Sequence, residues 1–500
     1  MSTGKYIKLI FGLKLKQLRI DKNMSLSELA AKSKLSISYL NEIETGKKYP
    51  KSDKIATLSE ALGVKYDNLV SLKLVRNLAP IGELLESNIL EQLPLDHYGI
   101  DINKLIALMS GASMQLSALI ATFIEMAKSS EMSQNNFSRT ALRTFKEFSD
   151  NYFEDLENSV KEFITENKFE ESTFVEYSKL KSILVNKYGY EIDESSINDF
   201  PELNELRAVV VKGKMVKLFL NNKLSAAQKT FVIGKELAYN YLSMKDRSYI
   251  YSSLRLNSFD QLLNYFKASY FSTALIINSK FFIPDLEEFF NSPVWNGDKL
   301  SALIAKYNAT TEMFFQRLTN LSAKYFGLNK FFFLRFDYEN GSNRYDLSKE
   351  LRLNTPRNPG GYQTDEHYCR RWLSIATLKK LEDELKKDNK YDTKITGIMH
   401  SKFFESKDEY LSISVAQKGR LIENNLSSLT IGFQVDDTLK EKIKFWNDPA
   451  IESKIVNDTC EKCSINDCKE RVASPVSAGK SEKLANLGKA LKKLEELSKT

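Results

Sequence analysis

LSELAAKSKLSISYLNEIETGKKYP, residues 26–50, carries two helix starts and a helix stop in one short run. Ser25, just before it, is an N-cap candidate, and Glu28 three residues later completes the spacing of a capping box. A helix over about 26–32 then turns Leu26, Leu29 and Ala30 inward. A turn at 33–35 leads to Ser36, a second N-cap candidate, and to a helix over 37–46 that buries Ile37, Leu40 and Ile43. Gly46 ends that helix and Pro50 prevents its continuation. Upstream, GLKLKQLRIDK (12–22) predicts a first helix with Leu13, Leu15, Leu18 and Ile20 on its apolar side. Downstream, DKIATLSEAL and KYDNLV predict two more, with Gly63 between them.

The charge supports a nucleic-acid partner. Residues 1–76 hold fifteen Lys and Arg against seven Asp and Glu, a net of +8. The whole chain is +7, which leaves −1 for the other 424 residues. Lysine and arginine that neutralise phosphates supply most of the non-specific affinity for DNA, so a basic excess confined to one segment points there.

The 26–50 arrangement closely resembles the helix-turn-helix family of phage repressors and xenobiotic-response regulators, over about residues 9–70. The resemblance implies that the third helix lies in the major groove of operator DNA. By position, Ser36, Ser38, Tyr39 and Asn41 would reach bases or nearby phosphates, and Lys47 and Lys48 would hold the backbone. Glu42 and Glu44 are expected to pair within the domain. One such unit reads a half-site, so a homodimer is expected.

Beyond this domain the chain reads as helical to about residue 170, with Glu170–Tyr188 as a further helix. Residues 105–124, LIALMSGASMQLSALIATFI, run twenty positions without a charge. Their serines, glycine and glutamine suit a buried or dimer-forming helix rather than a bilayer span, and no N-terminal signal pattern is present. A cytoplasmic location without a membrane is the expectation. LRAVVVKGKMVKLFLNN (206–222) alternates on either side of Lys212-Gly213-Lys214 and predicts a hairpin.

The segment after that hairpin, LSAAQKTFVIGKELAYNYL (224–242), resembles the IrrE/ImmA-like metallopeptidases, in which H-E-x-x-H on a helix holds zinc. Here Lys235 and Tyr239 stand at the two histidine positions, Glu236 at the general base, and Lys267 at the third ligand. A lysine ammonium repels Zn²⁺, and a catalytic zinc needs three ligands and an open position. The resemblance therefore implies the fold without the chemistry, and no enzyme activity is expected.

Helix-turn-helix plus degenerate zincin domain is similar to the short-chain fatty acyl transcriptional regulators, over about residues 9–476. ALIAKYNATTEMFFQRLTNLSAKYFGL (302–328), the strand FFFLRFDYENG (331–341), CRRWL (369–373) and CEKCSINDCKERVASP (460–475) carry the likeness. It implies a C-terminal half that senses acyl-CoA or a related metabolite. Cys369, Cys460, Cys463 and Cys468 are all the cysteines of the chain, and the C-x2-C-x4-C cluster with one distant partner suits four-thiolate metal ligation. A [4Fe–4S] cluster and a structural zinc both fit four thiolates, and the cluster is preferred because it would give a regulator a redox state to sense. Arg335, Arg357, Arg370 and Arg371, with the loop RNPGGYQ (357–363), are candidates for phosphates of a CoA-like ligand. His97, His367 and His400 are too scattered to form a site.

The expected architecture is mainly α and multi-domain. A five-helix DNA-binding domain spans 1–76, a helical connector and dimerisation region 77–170, and a degenerate IrrE/ImmA-like α+β domain 171–330. A four-cysteine α+β sensor region spans 331–476, and a basic amphipathic tail 477–500. Function is expected to be operator binding under the control of a metabolite or a redox state. Alternatives are a zinc metallopeptidase that cleaves a repressor, which the missing ligands oppose, and a phage or toxin–antitoxin repressor.

Overall fold

The computed structural model describes residues 6–71, 74, 99, 134–169, 175–247, 249, 258–355, 366–388, 393–419, 421–422, 424–465, 467–475 and 487. The chain divides into two compact units, Met1–Leu142 with Leu256–Leu262, and Arg143–Arg255 with Leu263–Thr500. The uncharged stretch 105–124, Arg357 with its loop, and all of the basic tail except Leu487 lie outside the described residues. No helix among the described residues is long and apolar enough to cross a membrane.

In the first unit, α1 (Ile7–Asp21), α2 (Leu26–Ser33), α3 (Ile37–Glu44), α4 (Ser52–Leu62) and α5 (Tyr66–Val70) form the N-terminal domain. The capping box at α2 is complete: the Ser25 side chain accepts from the Glu28 N–H, and Glu28 accepts from the Ser25 N–H. Phe11, Leu15, Leu29, Leu40, Ile43, Ile55, Leu58, Leu62 and Leu69 make one core. Gly12 permits the close crossing of α1 and α3, because a Cβ there would sit 2.2 Å from the Ile43 carbonyl oxygen. Gly46 has φ +72°, the left-handed conformation that ends a helix at low cost.

Two expectations fail here. Ile20 is 49% exposed and Ile37 50% exposed, although periodicity places both inward. Helical geometry turns about 100° per residue, so Ile20 lies across the helix from the inward Leu18. Ile37 lies about 60° from Leu40 at the first turn of α3, where no helix among the described residues covers it. The first helix also starts earlier than expected, at Ile7.

The second unit contains two sheets. α7 (Glu154–Glu166) and α8 (Tyr177–Tyr188) precede a three-stranded sheet of β1 (Tyr190–Asp193), β2 (Ala208–Lys212) and β3 (Val216–Leu220), ordered β1-β3-β2. Before them lies α6 (Gln134–Phe148). The expected 206–222 hairpin is β2 and β3, whereas β1, parallel to β3, was not anticipated. The described part of the 170–188 segment becomes helical only at Tyr177, after an extended Glu176. α9 (Ala226–Tyr241), opened by a Ser225–Gln228 capping box, and α10 (Phe259–Ile276) follow. A Cβ on Gly234 would lie 2.4 Å from the Ser272 hydroxyl oxygen, so this glycine sets how closely α9 and α10 approach.

After α11 (Ser279–Phe290), α12 (Gly297–Lys306) and α13 (Thr311–Phe326) comes a six-stranded sheet. Its strands are β4 (Phe331–Glu339), β5 (Tyr345–Leu353), β6 (Lys394–Phe403), β7 (Glu409–Lys418), β8 (Asn425–Gln434) and β9 (Ser453–Val456), in the order β5-β4-β8-β7-β6-β9. All pairs are antiparallel except β6–β9. Period-two alternation divides β4 between two cores. Phe331 and Phe333 pack with Phe314, Leu318 and Leu321 of α13, while Phe332, Leu334 and Phe336 pack with Ile375, Leu378 and Leu381 of α14 (Leu373–Lys387). Cover on both faces of the sheet explains why β7 and β8 are buried almost throughout. The chain is thus multi-domain, with an all-helical N-terminal domain and sheet-containing C-terminal parts, as expected.

Candidate functional site

The first turn of α3 is the open face of the N-terminal domain. Ser36, Ile37, Ser38 and Asn41 are exposed on it, and Lys47 and Lys48 are exposed just past its end. Ser36 is the N-cap, its side-chain oxygen accepting from the Tyr39 N–H at 3.2 Å. A serine hydroxyl that accepts one bond still has a proton to donate outward. Tyr39 is half-buried against the core, and the Lys48 ammonium lies 5.1 Å from its ring centroid.

Behind this face, Arg19 of α1 grips Glu44 of α3 with Nε at 2.7 Å and Nη2 at 2.9 Å. Its third nitrogen donates to the Met24 carbonyl at 2.8 Å. The hydrogen bond to Glu44 raises the guanidinium pKa further, and the fork fixes the angle of α3. Glu42 meets Lys48 at 3.4 Å. Both glutamates pair within the domain, as expected.

A family model described as Helix-turn-helix matches residues 15–69. The control protein C.BamHI of Bacillus amyloliquefaciens is 38% identical over 72 residues, spanning 14% of this chain and 89% of that protein. The chain belongs to the helix-turn-helix family. Its N-terminal segment is accordingly a helix-turn-helix DNA-binding domain. A Mycobacterium tuberculosis transcriptional regulator of known structure aligns at 16% identity and a TM-score of 0.45, over 66% of this chain and 92% of the other.

In this helix-turn-helix protein, three of the four positions compared with a zinc site lie together on α9 but carry other chemistry. Lys235, Glu236 and Tyr239 are all buried. The Lys235 ammonium lies 3.3 Å from the Tyr265 ring centroid, and desolvation, reinforced by Arg207, pulls its pKa well below that of a free lysine. Arg247 donates to both carboxylate oxygens of Glu236, and the Tyr190 hydroxyl donates to Oε2 at 2.9 Å. The Arg247 guanidinium also stacks 4.0 Å from the Tyr239 ring centroid. Lys267 is half-buried on α10. An ammonium, a phenol and a carboxylate already held by arginine are not a zinc ligand set. Sequence reasoning identified these positions and missed Arg247, which sits eleven residues past Glu236 with no motif to mark it.

Two distant segments bring Cys369 beside Cys460 and Cys463. The Cys369 N–H donates to the Asp458 carbonyl at 3.0 Å, and the Cys460 N–H to the His367 carbonyl at 2.8 Å, with Tyr368 bridged to Thr459. Arg471 ties the 460–473 loop by donating to the carbonyls of Cys460, Cys463, Ile465 and Ala473. Cys369, Cys460 and Cys463 are buried, and Cys468 is half-exposed. Burial pushes the Cys369 thiol up to about 11, and the neighbouring Cys460 and Cys463 add to the rise. The donor chemistry therefore converges. Among the described residues, however, no three His, Cys, Asp or Glu side chains are set to hold a metal ion. His367 turns to Glu461, its Nδ1 2.8 Å from Oε1.

The described arginine candidates do not share partners. Arg370 is buried, stacked 4.4 Å from the Tyr345 ring centroid and bonded to the Asn343 carbonyl at 2.9 Å. Arg371 reaches the Ile455 carbonyl at 3.3 Å. Arg335 turns instead to Glu312 and Asp337, at 2.9 Å from each.

Proposed function

We propose that the protein is a sequence-specific transcriptional regulator that binds operator DNA through α3 and whose C-terminal half responds to a small molecule or a redox state. The observation that carries the reading is the exposed α3 face, Ser36, Ile37, Ser38 and Asn41, flanked by Lys47 and Lys48 in a segment of net charge +8. Helix N-termini and side chains of this kind meet base edges, while lysines past the helix neutralise phosphates. Binding as a homodimer follows from the half-site reach of one such domain. The effector would act by binding two states of the dimer with different affinity.

The cysteines enter the same proposal. Cys369, Cys460, Cys463 and Cys468 would hold a [4Fe–4S] cluster, with structural zinc as the alternative. The cluster would supply a redox state that changes with the cell, and zinc would supply only a cross-link between the two segments. The peptidase alternative gains no support, because Lys235 and Tyr239 offer no zinc ligand and Arg247 holds Glu236.

The test is selection of bound sequences from random DNA, followed by affinity measurements over a range of salt. A single enriched motif, abolished in Ser38→Ala/Asn41→Ala, is the expected result. Binding of all sequences alike would overturn the proposal.

A further inference from the structure

Arg335 and Lys349 are direct partners in the register of β4 and β5, beside the irregularity between Arg335 and Phe336. Like charges in that position repel. Glu312, in the first turn of α13, stands between them: Lys349 Nζ pairs with Oε1, and Arg335 Nη1 with Oε2 at 2.9 Å. Arg207, just ahead of β2, adds a third cation 3.8 Å from the same carboxylate. Desolvation would raise the Glu312 pKa, yet Lys349, Arg335 and Arg207 hold it well below the carboxylate range.

More positive charge surrounds this group. The Lys146 ammonium lies 4.3 Å from the Phe266 ring centroid, and that of Lys235 lies over the adjacent Tyr265. Lys146 feels Lys349, and Lys235 feels both Arg207 and Lys349, so the cations form one electrostatic cluster. Lys349 is 42% exposed and Arg207 31%, which opens the cluster to solvent. Arg207, Arg335 and Lys349 all meet Glu312, and Arg335 also meets Asp337, so three cations face two carboxylates there. A fold gathers such an excess of one sign at a cost in stability, and local conflicts of this kind concentrate at functional sites.

We propose that this cluster binds a phosphorylated small molecule, its phosphate seated among Lys349, Arg335 and Arg207 beside Glu312. A phosphate monoester brings nearly two negative charges, and its oxygens suit two guanidinium forks better than a single carboxylate does. The site lies wholly in the second unit, and it gives the effector half of the proposed function a ligand class. Because it rests on that half alone, its test uses no DNA, and failure here leaves the operator reading intact.

The experiment titrates the full chain with inorganic phosphate by calorimetry and thermal unfolding, with sodium acetate and sodium chloride at matched ionic strength. The expected result is a rise in Tm with phosphate alone. Lys349→Met and Arg207→Gln should each weaken phosphate at least tenfold, while Lys386→Gln, on the exposed side of α14, leaves it unchanged. Removing Lys349 relieves its repulsion with Arg335, and Arg207 is part-exposed, so circular dichroism should find both variants folded. Equal stabilisation by acetate or chloride would overturn the proposal. So would wild-type affinity in both variants, or an equal weakening in Lys386→Gln.

Discussion

Arg247 holds both carboxylate oxygens of Glu236, and the pair is almost completely buried. In a hydrolytic helix the glutamate at this position faces a metal-bound water, whereas here it faces a guanidinium. Installing histidines does not change that. Lys235→His/Tyr239→His is expected to hydrolyse no peptide in added zinc, and measurable turnover would contradict the reading of this helix. Glu236→Gln should instead cost about 3–5 kcal/mol in urea unfolding, because it leaves a buried arginine without its counter-charge.

Arg317 and Glu157 join α13 to α7 in the same manner, both almost fully buried, with Arg317 Nη2 at 2.9 Å from Oε2 and Nε at 2.9 Å from the Ile277 carbonyl. The Tyr270 hydroxyl donates to Glu157 at 2.7 Å. Glu157→Ala is expected to destabilise by about 3–5 kcal/mol, and Glu157→Met/Arg317→Met by much less, since removing both charges also removes the desolvation cost. A double-mutant cycle measures the difference.

Ile37 gives the exposed face of α3 an apolar side chain beside its polar ones. An exposed isoleucine at this position suits the methyl group of thymine. Ile37→Ala should weaken binding by about 1–3 kcal/mol on operators with thymine at the contacted base and leave other operators unaffected. Lys47→Gln/Lys48→Gln should weaken all sequences alike and lower the salt slope by about one for each phosphate no longer neutralised. Affinity measured across salt concentrations separates the two.

Lys146 links stability to alkaline pH. Desolvation, then Lys349 and Arg143, lower its pKa to about 8, below the 10.5 of the unfolded chain. Below pH 8 the folded protein must keep this ammonium charged among other cations. Between about 8 and 10.5 the unfolded chain binds more protons than the folded one, so this residue makes stability rise with pH. Urea unfolding across that range should show a rise in wild type that is smaller in Lys146→Met, and an identical profile would contradict the assignment.

Anaerobic purification with metal analysis tests the cysteines. About four irons per chain, with absorbance abolished in Cys460→Ser, is expected of the cluster. About one zinc and no colour would make the centre structural. Neither metal would leave three buried thiols and a half-exposed Cys468.

The helix-turn-helix domain was legible from the chain alone. Its signals are local: Ser25 and Glu28 close a capping box three residues apart, Ser36 caps α3, and Gly46 stops it. The 206–222 hairpin was legible for the same reason, because alternation needs only neighbours in the chain, whereas strand β4 was read from a family resemblance. The cysteine spacing was legible too, but it took the pairing of Tyr368 with Thr459 to carry Cys369 to Cys460. Ile37 defies its periodicity because a repeat tells which residues share a helix face and not whether another helix covers it. The partners of the charged groups emerged only with the fold. Glu312 joins Arg207, Arg335 and Lys349 from four separate segments, and Arg247 reaches back to Glu236 through a bend no motif marks. Coulomb interactions depend on distance in space, and a linear chain records that distance only where an element's own period brings residues together.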